Sequence, residues 1–496
     1  MKKFKIIALL LAMAFILVSC GDTEGATPAS DEIGGNGEMG TDEVGEPEPE
    51  RIRHNVPDAD FGGHRFTILV SVNGELVMMN DFEAEELMGE PINDAIYIRN
   101  SIVEEKFNIE IANVQMPLSD WINRPETRTR LSNSIMAGDH AYDAVMISGH
   151  GAASLAQDGL LMDMGDLAPI DLSMPWWDQM ANRDLRIMDR MFFTTGALSN
   201  VVNRATYAVL FKKQLIQDFG LENPYDLVRA GEWTYDKLIE MATVVTQDLD
   251  GDGVIGINDR VGALVWDDTI MGVVNSIGER STVVNTGGEL EIVFYNERTL
   301  QAFNTFIDFT LTDAGLMYQR IDWTGVTSDA MFAEGRALFY MQIMELVTRL
   351  RAMEMDFGVL PSPKLDTNQR YYHSTVGGWH SGFICIPIGQ QDAERTASII
   401  EVMAAESVDT LQRAYYEVAL VGQLIRDYES EEMLDIIFGT RVFDVGWLFQ
   451  IGNFDGAIMD QIRTGRREFA SLYERNRARA ERDVERINNR FAELFN

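Results

Sequence analysis

Apolar positions along the chain fall into three regimes. An unbroken apolar run from Ile6 to Val18 follows Lys2, Lys3 and Lys5 and precedes Ser19-Cys20-Gly21. It is shorter than the ~20 residues a spanning helix needs, so it reads as the core of an export signal with a small-residue processing site. From Gly21 to Glu50 the chain is mostly Gly, Pro, Ser, Thr and acid, without a Lys or Arg, as in Glu46-Pro47-Glu48-Pro49-Glu50. Such a segment has too little apolar mass to offset ordering entropy and reads as a solvated spacer. Regular patterning begins near Phe61. His64 to Val70 predicts a strand and Ile92 to Phe107 a helix, with apolar positions Ile92, Ala95, Ile96, Ile102, Val103 and Phe107. Ile109 to Ile111 predicts a second strand. A polar helix follows from Glu126 to Met136, then a turn at Gly138-Asp139 and a strand from Ala144 to Ile147.

Strand and helix in strict alternation imply parallel pairing, because each crossover returns the chain in the same direction. The first part should therefore be a doubly wound α/β unit with its crevice at the strand ends, near Ser71-Val72-Asn73 and Ser148-Gly149-His150-Gly151. Further on, helices are expected over Asp236–Val245, Leu300–Leu311, Glu345–Met353 and Ala393–Ala404, and strands over Ala337–Met341 and Gly382–Ile388. From Ile458 to Phe495 apolar residues recur at helical spacing among many charges, which predicts one or two amphipathic helices.

Charge and cysteine usage narrow the functional classes. The formal charge is −37, and loss of the three leader lysines, with no acid lost, makes it −40. That surface repels phosphate backbones and argues against nucleic acid as a partner. Only Cys20 and Cys385 occur. Leu17-Val18-Ser19-Cys20 resembles the lipobox of bacterial lipoproteins, which implies cleavage before Cys20, its acylation and a membrane anchor. With Cys20 lipidated no intramolecular disulfide can form, so the core alone must hold the fold.

Four further segments carry a family resemblance. Ser134 to Val145, containing Ala137-Gly138-Asp139 and Tyr142-Asp143, is similar to a helix-to-strand turn of the extracellular solute-binding proteins of ABC importers, family 1. Gly231-Glu232-Trp233-Thr234-Tyr235-Asp236 is similar to that family's "G.WT" helix start. Met331 to Leu338 and Asp356 to Pro363 are similar to its "F.nGkaam" and "yGv.plP" stretches. Each also has a local sense: Gly138 and Gly335 suit positive φ at helix ends, and Thr234 suits a helix N-cap.

The resemblance implies an α/β, two-lobed periplasmic-binding-protein-like fold with interlobe hinge crossings. The crossings are placed near Gly196–Asn200, Gly377–Trp379 and Ile425–Ser430. On this reading residues 1–19 are the signal peptide and 20–57 the lipidated cysteine and spacer. Residues 58–199 open lobe 1, 200–379 form lobe 2, 380–428 return to lobe 1, and 429–496 are C-terminal helices of lobe 2. The implied partners are a carbohydrate or other polar solute, the permease subunits of an importer, and the membrane through the lipid.

Asp248-Leu249-Asp250-Gly251-Asp252-Gly253-Val254 to Asp259 has the spacing of an EF-hand calcium loop: carboxylates at positions 1, 3 and 5, Gly at 6 and an acid at 12. Asp248, Asp250, Asp252, the Val254 carbonyl and Asp259 are the expected ligands of a structural Ca2+. Position 12 is Asp rather than Glu, so its reach is shorter.

Sugars are held by aromatic stacking and by hydrogen bonds to carboxylates, amides and Arg. Aromatic residues at turns or strand ends are the candidates: Trp176, Trp177, Trp323, Tyr340, Trp379 with His380, and Trp447, with Asp143 and Asp444 as polar partners. Trp379 ranks first, since it falls at an expected crossing. The rivals are a surface glycosidase and a calcium-containing adhesion lipoprotein. With 78 acids, pairs of carboxylates arise by chance and do not favour the enzyme. No serine nucleophile elbow, zinc-binding His-Glu-x-x-His or phosphate loop is present, and no catalytic residue is expected.

Overall fold

The computed structural model describes residues 51–71, 80–116, 125–350, 356–416 and 428–494. Cys20, the leader, the spacer and Val72-Asn73 lie outside the described residues. Residues Arg53–Asn496 form one compact unit. Among the described residues no helix is long and apolar enough to cross a membrane.

Nine strands build two main sheets. In chain order they are β1 (His64–Ser71), β2 (Ile109–Met116), β3 (Ala144–Ser148), β4 (Tyr207–Phe211), β5 (Val261–Val265), β6 (Gly315–Met317), β7 (Ala337–Ile343), β8 (Gly358–Leu360) and β9 (Gly382–Cys385). The first sheet has the order β9-β3-β1-β2 and the second β8-β4-β7-β5-β6. In the first, β2, β1 and β3 run parallel, with Phe66 opposite Ile111 and Leu69 opposite Val145. The helices Pro91–Phe107 and Pro125–Ala137 supply the crossovers. The return strand β9 adds to β3 antiparallel, making this sheet mixed rather than purely doubly wound. In the second sheet β7, β5 and β6 are parallel, while β4 and β8 are antiparallel additions.

Local sequence explains where elements stop. Gly138 takes φ +64° just after the second crossover helix, and Gly335 takes +71° before β7. The Thr234 hydroxyl accepts the Lys237 N–H and caps the helix Tyr235–Val245. β3, β4 and β5 are buried along their whole length, which suits strands covered on both faces.

Two connections between the sheets run side by side. Thr194 bridges Ile384 at the first sheet and Thr206 bridges Val376 at the second, so residues 194–206 and 376–384 pass each other antiparallel. The expected third crossing lies partly outside the described residues, and Tyr428–Ser430 opens the helix Tyr428–Gly439 instead of a turn. The last helix, Phe469–Glu493, does not belong to the second sheet alone. Its Phe491 packs edge-on against Phe192 and its Arg490 donates to the Gln157 carbonyl, while Asn488 pairs with the Leu290 backbone.

Candidate functional site

A cavity of about 790 Å³ opens at the carboxyl edge of the second sheet. β5 and β6 are parallel, so their ends deliver Trp266 and Tyr318 to the same edge. The turn after β6 adds Trp323. These three rings form a ladder: Trp266 lies on Tyr318 with centroids 4.0 Å apart and planes at 10°, and Tyr318 lies on Trp323 at 5.1 Å and 21°. The Trp323 indole donates to the Tyr318 carbonyl at 2.9 Å, which fixes the outermost ring.

Polar groups share the wall. Gln319 and Asp267 are doubly joined: the Asp267 N–H donates to Gln319 Oε1 at 3.0 Å, and Gln319 Nε2 donates to Asp267 Oδ1 at 2.7 Å. Arg463, from the helix Phe454–Thr464, donates to the other Asp267 oxygen. Asp329 accepts from Arg349 at 2.9 Å and from the Tyr340 hydroxyl at 3.1 Å. Asp268 accepts the Tyr207 hydroxyl at 2.8 Å. Burial, and then the neighbouring Asp267, push the Asp268 pKa up to about 6. Trp379 and His380 reach the cavity from the second connection, with Trp379 edge-on to His150 at 5.5 Å. Wall residues therefore come from the second sheet, the connection and a C-terminal helix.

Of the residues singled out in the sequence, Trp323, Trp379 and His380 stand on this wall. Tyr340 is one layer behind it, fully buried, with its hydroxyl on Ser328 at 2.8 Å and on Asp329. The others are elsewhere. Trp176 and Trp177 are buried and both donate their indole N–H to Glu401, at 3.0 and 2.9 Å. Trp447 is buried edge-on to Phe294 with its N–H on Asn275. Asp143 accepts the Thr67 N–H and pairs with His64 at 3.0 Å, joining the turn before β3 to β1. Asp444 caps the helix Val445–Leu448 and takes the Ser281 N–H and hydroxyl and the Asn275 amide. These five are structural because every polar group they bury already has a protein partner.

Trp266, Tyr318, Gln319, Asp267 and Arg463 were not singled out. A signal for the first existed: Val261-Gly-Ala-Leu-Val265 is an apolar run that ends on an aromatic and two acids. β6 is three residues long and offers no periodicity from which Tyr318 could be read.

In the acidic loop the carboxylates of Asp248, Asp250 and Asp252 present oxygens all within 4.8 Å of one another. Gly251 and Gly253 take φ +78° and +81°, and their N–H groups donate to Asp248. Asp259 departs from the expected ligand set. It is buried and its oxygens accept the N–H groups of Leu249 and Gly256, both at 2.8 Å, so it ties the loop ends together.

The two sheets and the paired connections give a two-lobed α/β fold similar to that of solved ABC-transporter solute-binding proteins. Among solved structures, the chain is similar to the ABC substrate-binding protein from Listeria monocytogenes in complex with cycloalternan. The identity is 12%, the match covers 87% of this chain and 99% of that one, and the TM-score is 0.53. It is also similar to a cyclo/maltodextrin-binding protein complexed with maltotetraose, with 13% identity, 85% and 97% coverage and a TM-score of 0.56. An ABC transporter solute-binding protein from Agrobacterium radiobacter K84 in complex with ribitol matches at 12% identity, 85% and 99% coverage and a TM-score of 0.54. No protein-family model matches the chain, and no curated protein matches it significantly in sequence.

Proposed function

We propose that this protein is the solute-binding component of an ABC importer, that it works outside the cytoplasm on a lipid anchor at Cys20, and that it captures a carbohydrate in the aromatic cavity. The observation that carries this reading is the wall itself: Trp266, Tyr318, Trp323 and Trp379 beside Gln319, Asp267, Asp329 and Arg349. Flat apolar rings match the faces of a sugar ring, and fixed amide, carboxylate and guanidinium groups match its hydroxyls. The volume of about 790 Å³ has room for more than one sugar unit, which favours an oligosaccharide. The solved proteins of this fold named above carry cycloalternan, maltotetraose and ribitol, which agrees with that class. Asp267 and Asp329 are committed to arginines, and Asp268 lies buried against Tyr207. That arrangement suits holding hydroxyls rather than protonating a leaving group, so no turnover is expected.

Calorimetry of the purified protein with a maltodextrin series, and chromatography of the recovered sugar, test the reading. One-to-one binding of an unaltered sugar is expected, weakened about tenfold or more, ~1.4 kcal/mol, by Trp323→Ala. Hydrolysis of the bound sugar, or full affinity in Trp323→Ala and Trp379→Ala alike, would overturn it.

The acidic loop supports a second, structural role. Asp248, Asp250 and Asp252, with the Val254 carbonyl, would hold Ca2+, a hard cation that takes six or more oxygen donors. Calcium should raise the melting temperature of the wild type and leave that of Asp250→Ala unchanged. Equal melting with calcium and with chelator would remove the ion from the account.

A further inference from the structure

A second cavity, of about 510 Å³, shares no residue with the aromatic one. Its walls come from both halves of the fold. Arg183 and Asp184 lie on the helix Gln179–Asp184, in the stretch that carries the first sheet. Arg280 and Thr282 come from the stretch between β5 and β6, and His373 and Arg441 from either side of β9. In a chain with 78 acids and 41 bases, three arginines and a histidine face one aspartate here.

The charges are not equally committed. Arg183 donates to both oxygens of Asp184, at 2.7 and 2.9 Å. Arg441 spends its terminal nitrogens on Asp178 and Asn203. Asp444, the other nearby acid, is saturated by Ser281, Asn275 and the Gly446 N–H. Arg280 is half-buried, its guanidinium donates to the Glu279 carbonyl, and among the described residues no carboxylate lies within ion-pair distance of it. Asp184, Asp444 and Glu279 act on it only from beyond ion-pair distance, so a partly desolvated guanidinium gains from an anion that pairs with it directly. Its planar donors fit the two oxygens of a phosphate or carboxylate.

We propose that this cavity binds a small oxyanion of the phosphate or carboxylate type, with Arg280 as the principal ligand and Arg183 and His373 beside it. The site is independent of the carbohydrate reading. An anion there joins a helix of the first half of the fold to the segment Arg280–Thr282 of the second. His373 reports occupancy. Burial first, then Arg280 and Arg183, lower its pKa to about 4, against the opposing pull of Asp184, so the ring is neutral at pH 7. Tyr371 and Arg441 complete the charged and titratable groups on the wall. A bound anion offsets the two guanidiniums and must raise the His373 pKa.

The experiment titrates the purified protein with inorganic phosphate and, separately, with citrate, at ionic strength fixed by chloride. Melting temperature and the His373 imidazole resonance are followed, the resonance being assigned by its loss in His373→Gln. Saturable stabilisation by at least one anion is expected, with an upward shift of the His373 pKa. Affinity should fall at least tenfold in R280Q and stay unchanged in R466Q, whose side chain is exposed. Phosphate and citrate arms separate the two anion types. A His373 pKa that neither anion moves in the wild type overturns the proposal, whether or not R280Q folds. So does an equal response to chloride alone, or full affinity in R280Q.

Discussion

A tryptophan beside a proline and a tryptophan at a strand end look alike in sequence, yet their burial and partners separate them. Trp176 and Trp177 converge on one carboxylate, Glu401, across more than two hundred residues of chain. Burial raises the Glu401 pKa to about 7, against the pull of the two indole N–H donors. A carboxyl whose pKa is raised on folding binds its proton more tightly in the native state than in the unfolded chain. Its contribution is therefore complete below about pH 4.5 and is lost as pH rises through 7. Melting temperature should fall between pH 5 and 8 less steeply in Glu401→Gln than in the wild type. Parallel curves would show that Glu401 titrates normally. The same contrast explains the ligand candidates. Local sequence placed Trp379 and Trp323 at turns, where rings can meet solvent, and it placed Trp176, Trp177 and Trp447 at turns as well. Only the long-range partners, Glu401 and Asn275, decide that the latter three are interior.

Elements with strong periodicity were legible. Expected strand His64–Val70 is β1, expected helix Ile92–Phe107 is Pro91–Phe107, and the C-terminal pattern resolves into helices Phe454–Thr464 and Phe469–Glu493. Most of the second sheet was not. β6 and β8 have three residues each, and β4 and β5 are apolar throughout, a pattern that short buried strands share with buried helix segments. Because Trp266 and Tyr318 follow two of those strands, two of the three rings of the aromatic ladder went with them. The connections between elements make their own demand on sequence. At Gly196 a Cβ would stand 2.1 Å from the Trp176 carbonyl oxygen and 3.0 Å from the Trp177 Cα. Neither is a flexible side chain, so the backbone must move. Gly196→Ala should destabilise by about 1–3 kcal/mol in urea unfolding. Gly439→Ala, where nothing lies within 4 Å, should be neutral. Equal midpoints for both variants would show that the Trp177–Gly196 bridge yields freely.

At the scale of the molecule, two sheets joined by adjacent connections form a body in which the proposed solute at the cavity would touch the second sheet, a connection and a C-terminal helix at once. Such geometry suits hinge closure on a ligand. The proposed tether is a separate matter and rests on Cys20. In cell fractionation the wild-type protein should sediment with membranes and Cys20→Ala should not. Membrane retention of the variant would assign anchoring to another part of the chain.

What the sequence determined by itself is whatever rests on neighbours in the chain. The EF-hand spacing and the parallel pairing of β2, β1 and β3 belong there, as do the expectations of an export signal, a lipidated Cys20 and an acidic spacer, since charge, period and turn chemistry are local. The tertiary structure alone decided which aromatics form a cavity wall, that Asp143, Asp259 and Asp444 accept backbone N–H groups as braces, and that Arg280 faces a cavity without a direct ion pair. Those outcomes depend on partners brought together from distant parts of the chain, and burial and pairing of that kind leave no period to read.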